Sequence, residues 1–134
     1  MSGMADADGR IEQIVVEFEN ATIDAAEFDH EPHLLVGWRY LQHYSLLDSI
    51  KRYSDALRRL TRKLGVPSKY HETITWFYRI KTAERKAQTD WAAFKTANPD
   101  LFESNPSLVQ QYYSESLLSS ECARQSFVFP DLAA

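Results

Sequence analysis

The feature of this sequence that most constrains its fold is an apolar stripe at helical spacing between Ser45 and Pro67. Its members are Leu46, Leu47, Ile50, Tyr53, Leu57, Leu60 and Leu64. Their spacing of three or four residues places them on one side of an α-helix, which has to bury that side against other helices. Ser45 is a typical N-cap residue, and Gly65 is a typical residue just beyond a helix end. The stripe predicts an amphipathic helix with Leu57 central on its buried face.

Three other segments have the same periodicity, and together they predict the fold class. The four main helices are expected over residues 10–20, 29–44 and 45–64 and from residue 68 onward, with Asp29 and Ser68 as N-caps of the second and fourth. After Lys86 the pattern predicts only short helices, near residues 91–97, 108–113 and 117–123. We expect a disordered N-terminal tail over residues 1–9 and one all-α domain over residues 10–134, a compact bundle of four main helices plus short C-terminal helices.

The charge of the chain limits the classes of partner it can have. The 134 residues carry a net charge of −4, and this argues against non-specific nucleic-acid binding, which requires a basic surface. The densest basic stretch runs from Lys51 to Lys63 on the third helix, opposite its apolar stripe. We interpret it as a solvated face. A small-molecule partner is therefore expected rather than nucleic acid, and a homodimer stays open.

Cysteine content and hydropathy indicate the compartment. The single cysteine, Cys122, excludes an internal disulfide and suits a reducing environment; we predict that its thiol is buried. No apolar run approaches the roughly 20 residues of a membrane span. The sequence is therefore expected to encode a soluble cytoplasmic domain with no membrane partner.

The positions of the four histidines are the strongest functional signal. His30 and His33 are three residues apart at the start of the second helix, so they project from the same side. Gly37, one turn further along that side, leaves room for a cavity or a close helix approach. His71 is expected in the first turn of the fourth helix, pointing inward. His43, by the same helical geometry, faces the opposite way and is predicted to lie on the surface.

Three inward imidazoles predict a metal site. Neutral imidazole is a common ligand for iron, copper and zinc, and carboxylates often complete such sites. The predicted ligands of a single transition-metal ion are His30, His33 and His71, with Glu72 or Glu19 as the fourth ligand or general base. The alternative is that these histidines are hydrogen-bonded core residues, with Glu72 favourable simply because it lies near a helix start.

Two better-known metal motifs are excluded by spacing. The segment that begins His71-Glu72 resembles the H-E-x-x-H zinc-protease motif, but Thr75 occupies the position of the second ligand. Glu27 and His30 match one E-x-x-H element of a di-iron bundle, which requires two copies. Ser68 stands where the second glutamate would precede His71.

Several segments resemble an uncharacterised family of small bacterial helical proteins. The family pattern is F-x-H-x-x-H, then W-x-Y-L, then Y-H-E-T; it corresponds here to residues 28–33, 38–41 and 70–73. The segments Phe18-Glu19, Tyr112-Tyr113-Ser114 and residues 129–132 are also similar to it. This resemblance implies that Glu19, His30, His33, His71 and Glu72 belong to one shared site, and it implies no particular reaction.

The leading functional hypothesis is a small helical metalloenzyme with a mononuclear, histidine-rich site that acts on a small molecule. An iron or copper oxidoreductase is slightly favoured, because nitrogen and oxygen ligands with aromatic walls suit those metals. The runner-up is a metal-dependent hydrolase, lyase or isomerase with the same ligands. A third alternative is a non-catalytic module that binds a metal or a protein partner.

Overall fold

The computed structural model describes residues 2–86, 90–104 and 106–132, with side chains from residue 9 onward. Its α-helices are α1 (Ser2–Glu19), α2 (His30–His43), α3 (Leu46–Lys63), α4 (Glu72–Arg85), α5 (Trp91–Ala97), α6 (Glu115–Leu118) and α7 (Glu121–Gln125). Short 3₁₀ helices cover Ala25–Glu27, Pro67–Lys69, Pro99–Phe102 and Leu108–Gln111. No β-strand occurs in the described residues, so the predicted all-α class is confirmed.

The helix ends agree with the sequence at the second and third helices. Asp29 occupies the N-cap position of α2, and the Ser45 side chain accepts a hydrogen bond from the Asp48 amide at the start of α3. Gly65 follows α3 with a φ of 75°, a left-handed conformation that glycine adopts without steric cost. The Ser45 hydroxyl satisfies an otherwise unpaired backbone amide and Gly65 avoids a Cβ clash, whereas the Asp29 side chain makes no cap hydrogen bond.

Two predicted helix starts differ from the observed ones. Helix α1 begins at Ser2 rather than Arg10, so residues expected to form a disordered tail are helical. Ser68 does not cap the fourth helix, because Pro67–Lys69 forms a 3₁₀ turn and the chain then extends through Tyr70. The N-cap of α4 is His71, one residue before the helix.

Helix α2 lies between the two parts of the hydrophobic core. Leu34, Leu35 and Trp38 pack with α4 and the C-terminal segments, in a cluster that includes Phe77 and Phe94. Its other side packs against α1 and α3; that cluster consists of Val15, Phe18, Ala21, Ile23, Phe28, Val36, Tyr40, Tyr53, Ala56 and Leu60. A helix buried on both sides fixes the relative positions of α3 and α4, which border the cavity described below.

The buried face of α3 is turned relative to the predicted stripe. Leu57 is only partly buried, whereas Ala56 and Leu60 are almost fully covered. Leu47 and Leu64 are 71% and 44% exposed. The prediction that Leu57 is the centre of the buried face was therefore wrong. The buried face of α3 is centred on Tyr53, Ala56 and Leu60, and Leu57 instead borders an open cavity.

The basic residues of α3 are exposed, as predicted, and two of them also stabilise α1. Arg59 donates hydrogen bonds from Nε and a terminal nitrogen to the Glu19 carbonyl at 3.2 and 3.0 Å. Lys63 donates to the Ala21 carbonyl at 2.7 Å. Cationic side chains satisfy the free carbonyls at the C-terminal end of α1 and complement its dipole. The basic face thus has a structural role within the fold.

The C-terminal segment packs back onto α4. The rings of Phe127 and Trp76 stack with centroids 5.1 Å apart. The Thr73 hydroxyl donates to the Ser126 carbonyl at 2.8 Å and accepts from the Val128 amide at 3.2 Å. Phe129, by contrast, is 83% exposed. Among the described helices, none is long and apolar enough to cross a bilayer.

Candidate functional site

A cavity of about 380 Å³ lies between α2, α3 and α4. It is lined by Asp29, His30, His33, Leu34, Tyr53, Leu57, Lys69, His71, Ile74, Thr75, Tyr78 and Arg79. The three histidines predicted to point inward all line it, although His71 is about forty residues from the other two in sequence. Leucine, isoleucine and tyrosine side chains supply most of the remaining wall. Its size and apolar lining are those of a small-molecule site.

His30 and His33 lie on the α2 side of the cavity. The carbonyl of Leu101 can only accept, so the Nε2–H group of His30 donates to it, at 2.7 Å. His33 Nδ1 is hydrogen-bonded to the Tyr53 hydroxyl, and its ring packs 4.1 Å from that of Phe28. Both imidazoles are therefore held in fixed orientations by neighbours on other elements.

His33 is neutral at physiological pH. Burial lowers the pKa of His33 to about 3, and the electrostatic interactions with Arg79 and His30 act in the same direction. A hydrogen bond to the backbone of Phe28 opposes these effects but is the smallest of them. Burial also raises the pKa of Tyr53, so His33 and Tyr53 form a neutral, hydrogen-bonded pair at the cavity wall.

His71 acts as the N-cap of α4. Its Nδ1 accepts a hydrogen bond from the Ile74 amide at 3.1 Å. Its Nε2–H group then donates to the Leu118 carbonyl at 2.8 Å, which fixes the tautomer. Both ring nitrogens are occupied by the backbone, and the imidazole replaces the hydroxyl or carboxylate usual at this position.

The two carboxylates predicted to complete the site are not among the residues that line the cavity. Glu72 accepts hydrogen bonds from the Tyr70 hydroxyl and, at 3.1 Å, from Arg58. The Glu19 carboxylate accepts from the Tyr40 hydroxyl at 2.6 Å. Each is thus bound to a neighbouring phenol outside the cavity. The sequence could not reveal this, because helical spacing does not fix the direction of a long side chain near a helix end.

The donor groups do not form a metal-ligand set in the conformation observed. Across residues 2–86, 90–104 and 106–132, no group of three or more histidine, cysteine, aspartate or glutamate side chains could hold a metal ion. His71 could coordinate a metal only by breaking its hydrogen bond to Ile74 or to Leu118. Metal binding by His30, His33 and His71 therefore stays a prediction and requires a rearrangement of the rings.

Three other side chains discussed from the sequence lie outside the cavity. His43 is exposed, as predicted. Arg39 forms a surface ion pair, donating from Nε to Glu12 at 2.6 Å. Cys122 is exposed, so the prediction of a buried thiol was wrong. On the short helix α7 the residue that faces the core is Ala123 rather than its neighbour Cys122.

Arg79 and Tyr53 belong to the cavity wall and were not predicted as site residues. Arg79 is only 2% exposed, and its guanidinium carbon lies 3.8 Å from the centre of the Tyr53 ring. The sequence did contain a signal for Arg79. Arg79 directly follows Tyr78 and lies one turn after Thr75, on the side of α4 that bears His71. An arginine on the inward side of a helix is unusual, because arginine is rarely buried.

Comparisons of this chain with protein-family models, with curated proteins and with solved structures found no match. The resemblance to an uncharacterised bacterial family stays a prediction, and the functional argument depends on the site alone.

Proposed function

We propose that this protein binds a small molecule in the cavity between α2, α3 and α4. The observation that carries the proposal is the convergence of His30, His33 and His71, from separate segments of the chain, on one cavity of about 380 Å³. Cavities of this size with apolar walls and a few oriented polar groups are the usual form of small-molecule sites.

The polar groups of the cavity suit recognition of a bound molecule. The His33–Tyr53 hydrogen bond places a neutral imidazole and a phenol at the wall, and the partly buried Leu57 and Ile74 provide apolar contact. The lowered pKa of His33 and the raised pKa of Tyr53 make the imidazole a weak base and the phenol a weak acid at neutral pH. The role we propose for this pair is therefore to orient the ligand by hydrogen bonds.

A variant that fills the cavity tests the proposal. A panel of small aromatic compounds, including indole, benzamide and benzoate, should shift backbone amide resonances of cavity residues in two-dimensional NMR spectra. Leu57→Trp should abolish these shifts because the larger ring occupies the cavity. Leu47→Trp is the matched control on the same helix, at a 71% exposed position, and should retain them. Shifts that are absent from the wild type, or unaffected by Leu57→Trp, contradict the proposal.

The metalloenzyme predicted from the sequence is our second proposal, because its three histidine ligands line the same cavity. In this alternative His30, His33 and His71 bind one iron, copper or zinc ion after the rings give up their present hydrogen bonds, and the reaction is redox or hydrolytic. Imidazole must be neutral to bind a metal, and the low pKa of His33 meets that requirement at physiological pH.

The role of His71 separates the two proposals. His71→Asn replaces the imidazole with a good N-cap residue, so we expect the variant to keep nearly wild-type stability. If His71 is a metal ligand, zinc or iron(II) affinity measured by calorimetric titration should fall by about tenfold or more, whereas His43→Asn should leave it unchanged. Equal metal affinity in wild type and His71→Asn, or no measurable affinity in either, contradicts the metal proposal.

A further inference from the structure

Arg79 is a buried cation whose charge is not balanced by a carboxylate. Its side chain is 2% exposed, and its Nε has no hydrogen-bond partner in the part of the chain that the structure describes. None of the ion pairs formed by the described residues includes Arg79. Burying a charge without a counter-ion is costly, so buried arginines are normally paired. The missing partner is the unusual feature.

The groups around Arg79 do not supply the missing negative charge. From α3 the neutral Tyr53 ring contacts the guanidinium, and a cation–π contact offsets only part of the cost of burial. From α2, His33 contributes an imidazole, which supplies no negative charge. Asp29 is the acidic residue of the cavity wall; it is exposed and forms no ion pair with Arg79.

Helix α2 is shaped to accommodate the guanidinium. A Cβ atom at Gly37 would lie 2.6 Å from Arg79 Nε and 2.9 Å from Cζ. Any other residue at position 37 would therefore displace the guanidinium from its present place. Gly37 on one element and Tyr53 on another thus hold the guanidinium at the cavity wall.

From these contacts we infer that the natural ligand of the cavity is a small organic monocarboxylate, whose carboxylate pairs with Arg79 and whose apolar body contacts Leu57 and Ile74. This inference rests on the proposed small-molecule function and names its ligand class. A planar guanidinium matches a carboxylate with two parallel hydrogen bonds. One buried cation balances one negative charge, and the apolar wall favours a hydrocarbon or aromatic body over a highly charged one.

The test compares two ligands of almost the same shape, benzoate and benzamide. We expect benzoate to bind the wild-type protein about tenfold or more tightly than benzamide, since a charge-assisted hydrogen bond is lost in the amide. Dissociation constants are measured from amide shifts in NMR titrations. Arg79→Met should remove the preference for benzoate, whereas Arg62→Met, which changes an exposed arginine of α3, should retain it.

A second variant tests the site if Arg79→Met fails to fold. Gly37→Ala keeps the charge but forces the guanidinium to move, so it should weaken benzoate binding several-fold with little effect on benzamide. Because benzoate binds the folded state, it should also raise the melting temperature of the wild type and of Arg62→Met. The melting temperature of Gly37→Ala should rise less.

The results separate this inference from the proposed function. Binding of indole and benzamide that Leu57→Trp abolishes, without any preference for benzoate, overturns the carboxylate inference and leaves the small-molecule function in place. A benzoate preference that is as large in Arg79→Met as in the wild type also overturns it; if Arg79→Met does not fold, an undiminished preference in Gly37→Ala does so. A preference that is present in wild type and Arg62→Met, and that is lost in Arg79→Met or reduced several-fold in Gly37→Ala, supports it. If no compound binds in the cavity, the small-molecule function and the carboxylate inference both fail.

Discussion

Phe18→Ala is expected to lower the free energy of unfolding by about 3–5 kcal/mol, the usual cost of removing a fully buried phenylalanine ring. Phe18 is 0% exposed, and its ring centroid lies 4.8 Å from that of Phe28 and 5.1 Å from that of Tyr53. The Phe28 ring packs on His33, and Tyr53 is hydrogen-bonded to His33. The truncation of Phe18 should therefore also loosen the wall of the cavity that α2 and α3 form. Thermal unfolding followed by circular dichroism should give a melting temperature roughly 10–20 °C lower.

The matched control for this prediction is Phe129→Ala. Phe129 is 83% exposed, so removal of its ring leaves no cavity and should change the stability by less than about 0.5 kcal/mol. Similar melting temperatures for the two variants would mean that α1 does not pack against α2 and α3 as described.

The second large effect is a loss of stability in acid caused by His33. The pKa of His33 is about 3 in the folded protein, well below the value near 6.5 of an unfolded chain. Below about pH 6.5 the unfolded state therefore binds a proton at His33 that the folded state does not. The stability contributed by the neutral imidazole is complete above that pH and declines as the pH falls toward 3. Between about pH 7 and pH 4.5 the decline should reach about 2–3 kcal/mol.

The measurement is urea unfolding at these two pH values. His33→Gln removes the titrating group, so its stability should fall less between the two pH values than that of the wild type. His43→Gln changes an exposed histidine and should behave like the wild type. The three proteins have the same carboxylates, so the difference between their pH dependences of unfolding free energy comes from the histidine that is replaced. An identical pH dependence in wild type and His33→Gln would show that the imidazole is not held neutral by its surroundings.

The sequence predicted local structure best where one residue satisfies a local requirement. Ser45 caps α3 and Gly65 ends it because a hydroxyl acceptor and a missing Cβ act within a few residues. The prediction from the sequence was wrong at the start of the fourth helix, where His71 rather than Ser68 is the N-cap. Serine is a favoured N-cap residue, but Ser68 lies within the 3₁₀ helix Pro67–Lys69 and therefore does not immediately precede α4.

The candidate site was predicted only in part, for a physical reason. Helical phase alone placed His30 and His33 on an inward face, and the structure brings them to the cavity together with His71. Phase could not indicate that His71 uses both nitrogens on backbone groups, one of them at Leu118. Hydrogen bonds between segments far apart in sequence leave no periodic signal.

What the sequence determined by itself was therefore the helical class, the limits of α2, α3 and α5, and the inward histidines, all of which follow from interactions within a few residues. Only the tertiary structure decided that Leu57 borders a cavity, that Glu72 pairs with Arg58, and that Arg79 is buried against Tyr53 with no ion pair to any residue that the structure describes. Burial and charge pairing depend on which helices meet, and the packing of α2 between α3 and α4 sets that geometry.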